Sequence, residues 1–411
     1  MVRAVRPGPP RARDPFGIGP VGTVVAPLLS VVGLVLIGII TFNLINGEAP
    51  FGAMSGNGNG NGDPTRTAAP SNVVVVPEEA TFEGSITYAK GGNIWVQTAE
   101  SVTQLTDTGG ASMPSWSFDG ESIVYIHYAD ARGYWPICRN GGCKNGRYDI
   151  QIPDLLQVRA DGSAEPERLA RGRVKDGQLE WAAWMRQPVL SPDGKTIALV
   201  TDAPNPEESN VVLQFFDVAT KKLRRAGVKE SGVLGHQDPE WRRDGLLLLY
   251  TQNDRDGSRG APAIMRYDTR SKKARALTGP GYMQPSYSPD GRYVAATRTT
   301  ALGTDVVVLD ATTGAQLLRI TDDGASWAPT WSPAGDGIAF LHIVGQTVDL
   351  HLARLEGAAP AWTVKETIAL TEVSGLDAAS RPDWFIPADL LPPPTARPSA
   401  TPAAASPSSS P

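Results

Sequence analysis

The chain has 411 residues with 43 glycines and 35 prolines, a usage that favours many turns and short strands over long helices. Its formal net charge of −5 excludes a phosphate-tracking surface built on excess lysine and arginine, so nucleic acid is not an expected partner. The basic runs Lys221 to Arg225 and Lys272 to Arg275 sit beside turns and read as solvated edge charge.

From Val21 to Phe42 the sequence carries no charge, and a bilayer core needs about 20 apolar residues in a helix. Arg3, Arg6, Arg11 and Arg13 precede this run against Asp14 alone, and the next charge downstream is Glu48. The positive-inside rule then leaves residues 1–20 in the cytoplasm and everything after Asn46 outside. The run is longer than the apolar region of about 7–15 residues in a cleaved signal peptide, so residues 21–45 read as an uncleaved signal anchor in the cytoplasmic membrane, single-pass. Residues 46–80, with the string SGNGNGNGDP, have the composition of a flexible linker. At the other end, residues 390–411 form a Pro/Ser/Thr-rich tail that cannot bury a core and is expected to be disordered.

Between these ends a string recurs. Pro114-Ser-Trp-Ser-Phe-Asp-Gly120 returns as Pro188 to Gly194, Pro239 to Gly245, Pro285 to Gly291 and Pro329 to Gly335, each followed by an apolar run; a truncated copy, Pro382-Asp383-Trp384, precedes the tail. In Ser-Pro-Asp-Gly the proline presets φ, the aspartate bonds the backbone ahead and the glycine accepts positive φ, so the unit closes a hairpin. Two more strands recur between copies, typified by Asn93-Ile94-Trp95-Val96 and the run ending at Leu105-Thr106. Four strands per repeat, at a period of about 40–50 residues, is the pattern of propeller blades. The first strands precede any copy of the string and the last copy has no strands after it, so the C-terminal fragment is expected to supply the innermost strand of the first blade. The expected fold is all-β: a six-bladed β-propeller over residues 81–389, with one N-terminal transmembrane helix.

These repeats resemble the TolB-like family, whose WD40-like Pro-Asp repeats carry the same string and build six-bladed propellers. The resemblance covers about Thr81 to Pro387 and implies a six-bladed propeller in which the motif residues are structural. It departs from the family in that the N-terminal α/β domain of TolB is replaced by the anchor and linker, so partners in the Tol system are not carried over.

No nucleophile elbow, His-Glu-x-x-His pair or P-loop occurs. His127, His236, His342 and His351 are scattered over different repeats; His127 and His342 fall at equivalent places, and convergence on the channel would suit a metal-dependent lyase or hydrolase, the alternative function. His236 leads into the Pro239 strand and is a candidate for the channel mouth, where polar groups could meet a small ligand or peptide.

Two insertions stand outside the repeat. Tyr128 to Tyr148 carries Tyr134, Trp135 and Tyr148 around Cys138 and Cys143, the only two cysteines, which an oxidising exterior would join in a disulfide. Aromatic residues on a protruding loop suit partner recognition. Arg173 to Gln187 holds Trp181 and Trp184, three apart as on one helical face, packed against the blade side. The expected function is a non-catalytic binding or scaffold module for an envelope protein or a peptide or glycan ligand, with neither cofactor nor metal.

Overall fold

A computed structural model describes residues 82–139, 142–203, 210–229, 235–253 and 262–385. The expected cytoplasmic N-terminus (1–20), transmembrane anchor (21–45), linker (46–80) and tail (390–411) lie outside the described residues. Among the described residues no helix is long and apolar enough to cross a membrane.

The described residues are all-β and form a six-bladed propeller. Blade 3 shows the plan. Met185–Leu190 is the innermost strand, Thr196–Thr201 and Val212–Asp217 follow, and Lys222–Arg225 is outermost, each antiparallel to the last. Blades 4, 5 and 6 begin with the inner strands His236–Trp241, Tyr282–Tyr287 and Ser326–Trp331. Blade 1 is shared between the chain ends. Its inner strand is Asp383–Phe385, paired with Ser85–Lys90 so that Ile86 stands opposite Trp384.

The hairpin unit explains the local fold. In blade 2 the Gly120 N–H donates to the Ser117 carbonyl, Ser117 Oγ donates to Asp119 Oδ1 at 2.5 Å, and the Glu121 N–H donates to the same carboxylate. Gly120 sits at φ 72°, a region that costs other residues strain. The Ser117 hydroxyl, then the Glu121 N–H, hold the Asp119 carboxyl below its usual range. Blade 6 has Ala334 where the aspartate should stand, yet the box persists, because Ser332 Oγ donates to Asp336 Oδ1 instead.

Each inner strand carries one large apolar residue into the seam with the neighbouring blade. Six apolar clusters result, each between consecutive blades. One combines Phe215 of blade 3 with Trp241, Tyr250 and Tyr267 of blade 4; another combines Trp384 and Ile86 of blade 1 with Leu341 and Leu350 of blade 6. Burying such a side chain contributes about 1.5–3 kcal/mol, so the seams hold the ring. The closing seam is typical: Trp384 is 7% exposed, packs edge-on to Phe82 at 5.5 Å and donates its indole N–H to the Glu83 carbonyl.

The blade 2 insertion is not a loop. Ser122–Arg139 and Gly142–Arg159 are two long strands in continuous register, from Ser122 opposite Arg159 to Arg139 opposite Gly142. The Arg173–Gln187 segment is not helical either. Arg173–Asp176 and Leu179–Ala182 pair as a hairpin, which corrects the helical spacing read from Trp181 and Trp184. Gly172 and Gly177 interrupt the apolar pattern, and pairing with the blade 2 strands decides the segment.

Trp384→Ala should lower the unfolding free energy by about 3–5 kcal/mol, the usual cost of emptying a buried aromatic site, and urea titration followed by tryptophan fluorescence would read it. A loss below about 1 kcal/mol would contradict a ring closed through blade 1.

Candidate binding face and channel

The ring has two distinct faces. The Ser-Pro-Asp-Gly turns lie on one, and so do both ends of the described chain: Ser85 pairs with Phe385, whose ring covers Gly120 of the blade 2 turn. The inner strands begin on the opposite face, where Ala111 stands across from His127. Past His127 the blade 2 strand continues to Arg139, about 40 Å at about 3.3 Å per residue. The result is an arm that projects away from the face holding the chain ends.

On the inner strands the residue before each proline takes a positive φ: Met113 (56°), Gln187 (53°), Asp238 (50°), Gln284 (53°) and Ala328 (53°). The pairing with the second strand shifts register at each of these places. Proline has no N–H to give the ladder and disfavours the helical region for the residue before it, so a bulge forms there. Each freed N–H is taken up by the preceding blade. Met113 N–H donates to Ser380 Oγ, Gln187 N–H to Met113 Sδ, Asp238 N–H to Gln187 Oε1, Gln284 N–H to Thr251 Oγ1, and Ala328 N–H to Gln284 Oε1. Thr251 is itself held by Asp238 Oδ2, and Gln187 Nε2 donates to Asp238 Oδ1 at 2.6 Å.

Ala328 has no polar group to pass on. The equivalent position in blade 1 is Arg381, and its side chain crosses to the far side of the ring. It donates to the Pro285 carbonyl at 2.6 Å and to Glu240 Oε2 at 2.7 Å. Burial pushes the Glu240 carboxyl up to about 7, with Arg381 pulling it back and Asp383 adding to the rise. Asp383 accepts from Ser115 Oγ and the Trp116 N–H across the blade 1–2 seam. The channel is therefore spanned by a charged crosslink. Arg381 escaped the sequence reading, although its place just before Pro382 was the available signal.

The two insertions form one unit. The Leu179–Ala182 strand pairs with the arm at Tyr134 opposite Glu180, Tyr148 OH donates to the Glu180 carbonyl, and the rings of Trp135 and Trp181 meet edge-on at 5.4 Å. Gly133 permits the crossing, since a Cβ there would come within 2.7 Å of both the Glu180 carbonyl oxygen and the Tyr148 ring. Glu180 also pairs with Arg173 and with Lys175, which fastens the hairpin. Arg147 lies over the Tyr134 ring at 5.3 Å and donates from Nε to its hydroxyl. At the tip the register sets Cys138 opposite Cys143.

A groove of about 880 Å³ runs from the base of this arm to the channel mouth, lined by Tyr128, Asp130, Tyr148, Ile150, Trp184 and Arg186 among others. Trp184 is 42% exposed, with Arg186 over its ring; its backbone N–H donates to the buried Asp202, whose carboxyl burial pushes up to about 6. The structure thus gathers Tyr134, Trp135, Tyr148 and Trp181 in the arm and sets Trp184 in the groove.

His236 does not belong with them. Its side chain is fully buried beside Tyr250, Nδ1 accepts from the Leu213 N–H at 3.0 Å, and Nε2 therefore donates to the Lys229 carbonyl. A ring committed in this way structures the core and offers nothing at the channel mouth. His342 and His351 meet at a tilt, with ring centroids 4.5 Å apart, in blade 6, away from His127 in blade 2. Ser326, His342 and Asp323 resemble a hydrolase set only in composition. The Ser326 hydroxyl and the Asp323 carboxylate both approach Nδ1 of His342, and Ser326 is fully buried, whereas a triad needs the base between its two partners. Among the described residues no group of three or more His, Cys, Asp or Glu side chains is placed to hold a metal ion.

No family model matches the chain. Over 236 residues it is 26% identical to "Tol-Pal system protein TolB" of Francisella tularensis subsp. tularensis, and equally so to that of subsp. holarctica, an alignment covering 56% of this chain and 44% of each relative. The chain spans under half the length of the curated relatives it matches. The crystal structure of TolB from Acinetobacter baumannii superposes with a TM-score of 0.52 at 18% identity, covering 74% of this chain and 67% of that one. The described residues are a TolB-like six-bladed β-propeller.

Within this TolB-like ring the burial of Glu240, opposed by Arg381, makes stability pH-dependent. Folding raises the Glu240 carboxyl from 4.5 to about 7, so folded Glu240 keeps a proton that the unfolded chain has already lost. The associated stability is complete below about pH 4.5 and is lost as pH rises through about 7. The stability of the native protein minus that of Glu240→Gln should accordingly fall across this window in urea titrations run at several pH values. A difference that stays level or rises would contradict the assignment.

Proposed function

We propose that the chain is an extracytoplasmic binding module that presents a braced arm to an envelope protein. The observation that carries this reading is the arm itself: it leaves the propeller opposite the chain ends, is stiffened by a second hairpin, and bears Trp135 and Tyr134 with Arg147 near its outer part. Aromatic and arginine side chains on rigid elements lose little entropy on contact and concentrate binding energy. The relatives named as Tol-Pal system proteins support a role in the cell envelope. The apolar run from Val21 to Phe42, with arginines before it, supports a single-pass anchor in the cytoplasmic membrane with the propeller outside.

With the tether entering the face that holds Ser85, the arm and the groove are the parts of the ring turned from the membrane. The role is one of binding and needs no catalytic group. Cys138 and Cys143, directly opposed across the hairpin, close its tip by a disulfide in this reading.

Two measurements test this. Detergent co-purification with the full chain should recover a protein partner that is depleted at least about tenfold from a Tyr134→Ala/Trp135→Ala variant, matching the about 1.4 kcal/mol that a tenfold change represents; an unchanged set of partners would count against the arm. Alkylation of the unfolded, unreduced protein followed by mass spectrometry should leave both cysteines unmodified, and two alkylated thiols would remove the tip disulfide.

A further inference from the structure

We propose that the outer edge of the arm strand Gly142–Arg159, distal to Pro153, takes an extended acidic segment of a partner protein as an added β-strand. This deepens the proposed function and rests on the arm being the recognition element.

The backbone of the Gly142–Arg159 strand is paired unequally on its two sides. On its inner side this strand pairs with Ser122–Arg139 along its whole length; on its outer side it pairs with Glu167–Arg171 only from Asp154 to Gln157. The Pro153 carbonyl still points outward, because it accepts the Gly172 N–H at 2.7 Å. There the chain departs to form the bracing hairpin, which rejoins the arm on the opposite strand at Tyr134. In an antiparallel pair alternate residues turn both N–H and C=O away from the partner. Counting back from Pro153, those residues are Gln151, Asp149, Arg147 and Asn145, whose outward groups meet no strand among the described residues. Such a row is a template for strand addition unless something blunts it. No proline or bulge interrupts the register here.

The second observation is charge. Residues 131–149 and 173–182 together carry six Lys or Arg and three Asp or Glu, an excess of three positive charges on a chain of net −5. Arg173 and Lys175 are spent on Glu180, and Arg132 pairs with Asp149. Lys144 and Arg147, both exposed and both on the free edge, have no carboxylate partner among the described residues. Arg147 is held in place by Tyr134 through Nε, which leaves its terminal N–H groups for an incoming carboxylate. Main-chain bonds would supply affinity, and Arg147 and Lys144, which project from opposite faces of the strand, would each select an acidic side chain on its own face.

The test uses a capped synthetic peptide of about ten alternating valine and glutamate residues, added to the full chain in detergent. Binding should protect the amide hydrogens of Asn145, Arg147, Asp149 and Gln151 from exchange. Asn145→Pro/Gln151→Pro removes two outward N–H groups that the arm's own pairing does not use, and it should weaken binding at least about tenfold; Arg147→Glu should do the same. A matched valine–lysine peptide should not bind.

The proposal is overturned if the acidic peptide leaves those amides unprotected. It is equally overturned if the double proline variant binds as well as the native chain while retaining the native circular dichroism. Binding of phosphatidylglycerol vesicles in place of the peptide, with no edge protection, would also overturn it. If the proline variant keeps the cellular partner that Tyr134→Ala/Trp135→Ala loses, the edge proposal falls and the broader role of the arm stands.

Discussion

The bulge before each inner-strand proline is the constraint on which the rest of this structure depends. A non-glycine residue held at positive φ costs about 1–3 kcal/mol, and the ring does so at five equivalent places. Each strained residue turns its N–H toward the preceding blade, where an oxygen or sulfur waits for it. The strain and the hydrogen bond therefore come as one unit, and that unit fixes the spacing between neighbouring blades. The apolar seams can then fill around a geometry already set.

The same unit accounts for the channel. Side chains at the bulge face the axis of the ring, so whatever occupies that position decides what the channel contains. Gln187, Asp238 and Gln284 use theirs to hold neighbours; Ala328 cannot, and Arg381 reaches across to Glu240 and Pro285 instead. A channel crossed by the buried Arg381–Glu240 hydrogen bond is a stiff hub. Exposed aromatics stand instead outside the channel, Trp184 in the groove and Trp135 on the arm.

The repeat was legible because its chemistry is local. Pro-x-Trp followed by Ser-Pro-Asp-Gly writes a strand, a turn and a second strand within one short string, and several copies agree. The same local logic could not show Asp336 replacing the absent aspartate of blade 6, since its register depends on how Ser332 is placed in the folded turn. Nor could it show that Trp181 belongs with Trp135. Spacing of three suggested a helical face, but pairing with a strand 46 positions upstream, at Tyr134 opposite Glu180, overrode it. His236 looked like a channel residue because it precedes Pro239; its ring turns instead into the seam with Leu213.

By itself the sequence determined the blade count, the shared first blade and the position of the two insertions, because periodicity and turn residues are properties of neighbouring positions. Only the tertiary structure decided that the insertions join into one arm, that Arg381 spans the channel, and which edge of the arm meets no strand among the described residues. Those features depend on contacts between residues far apart in the chain, as between Arg381 and Glu240, and no local pattern encodes which distant partner a side chain will meet.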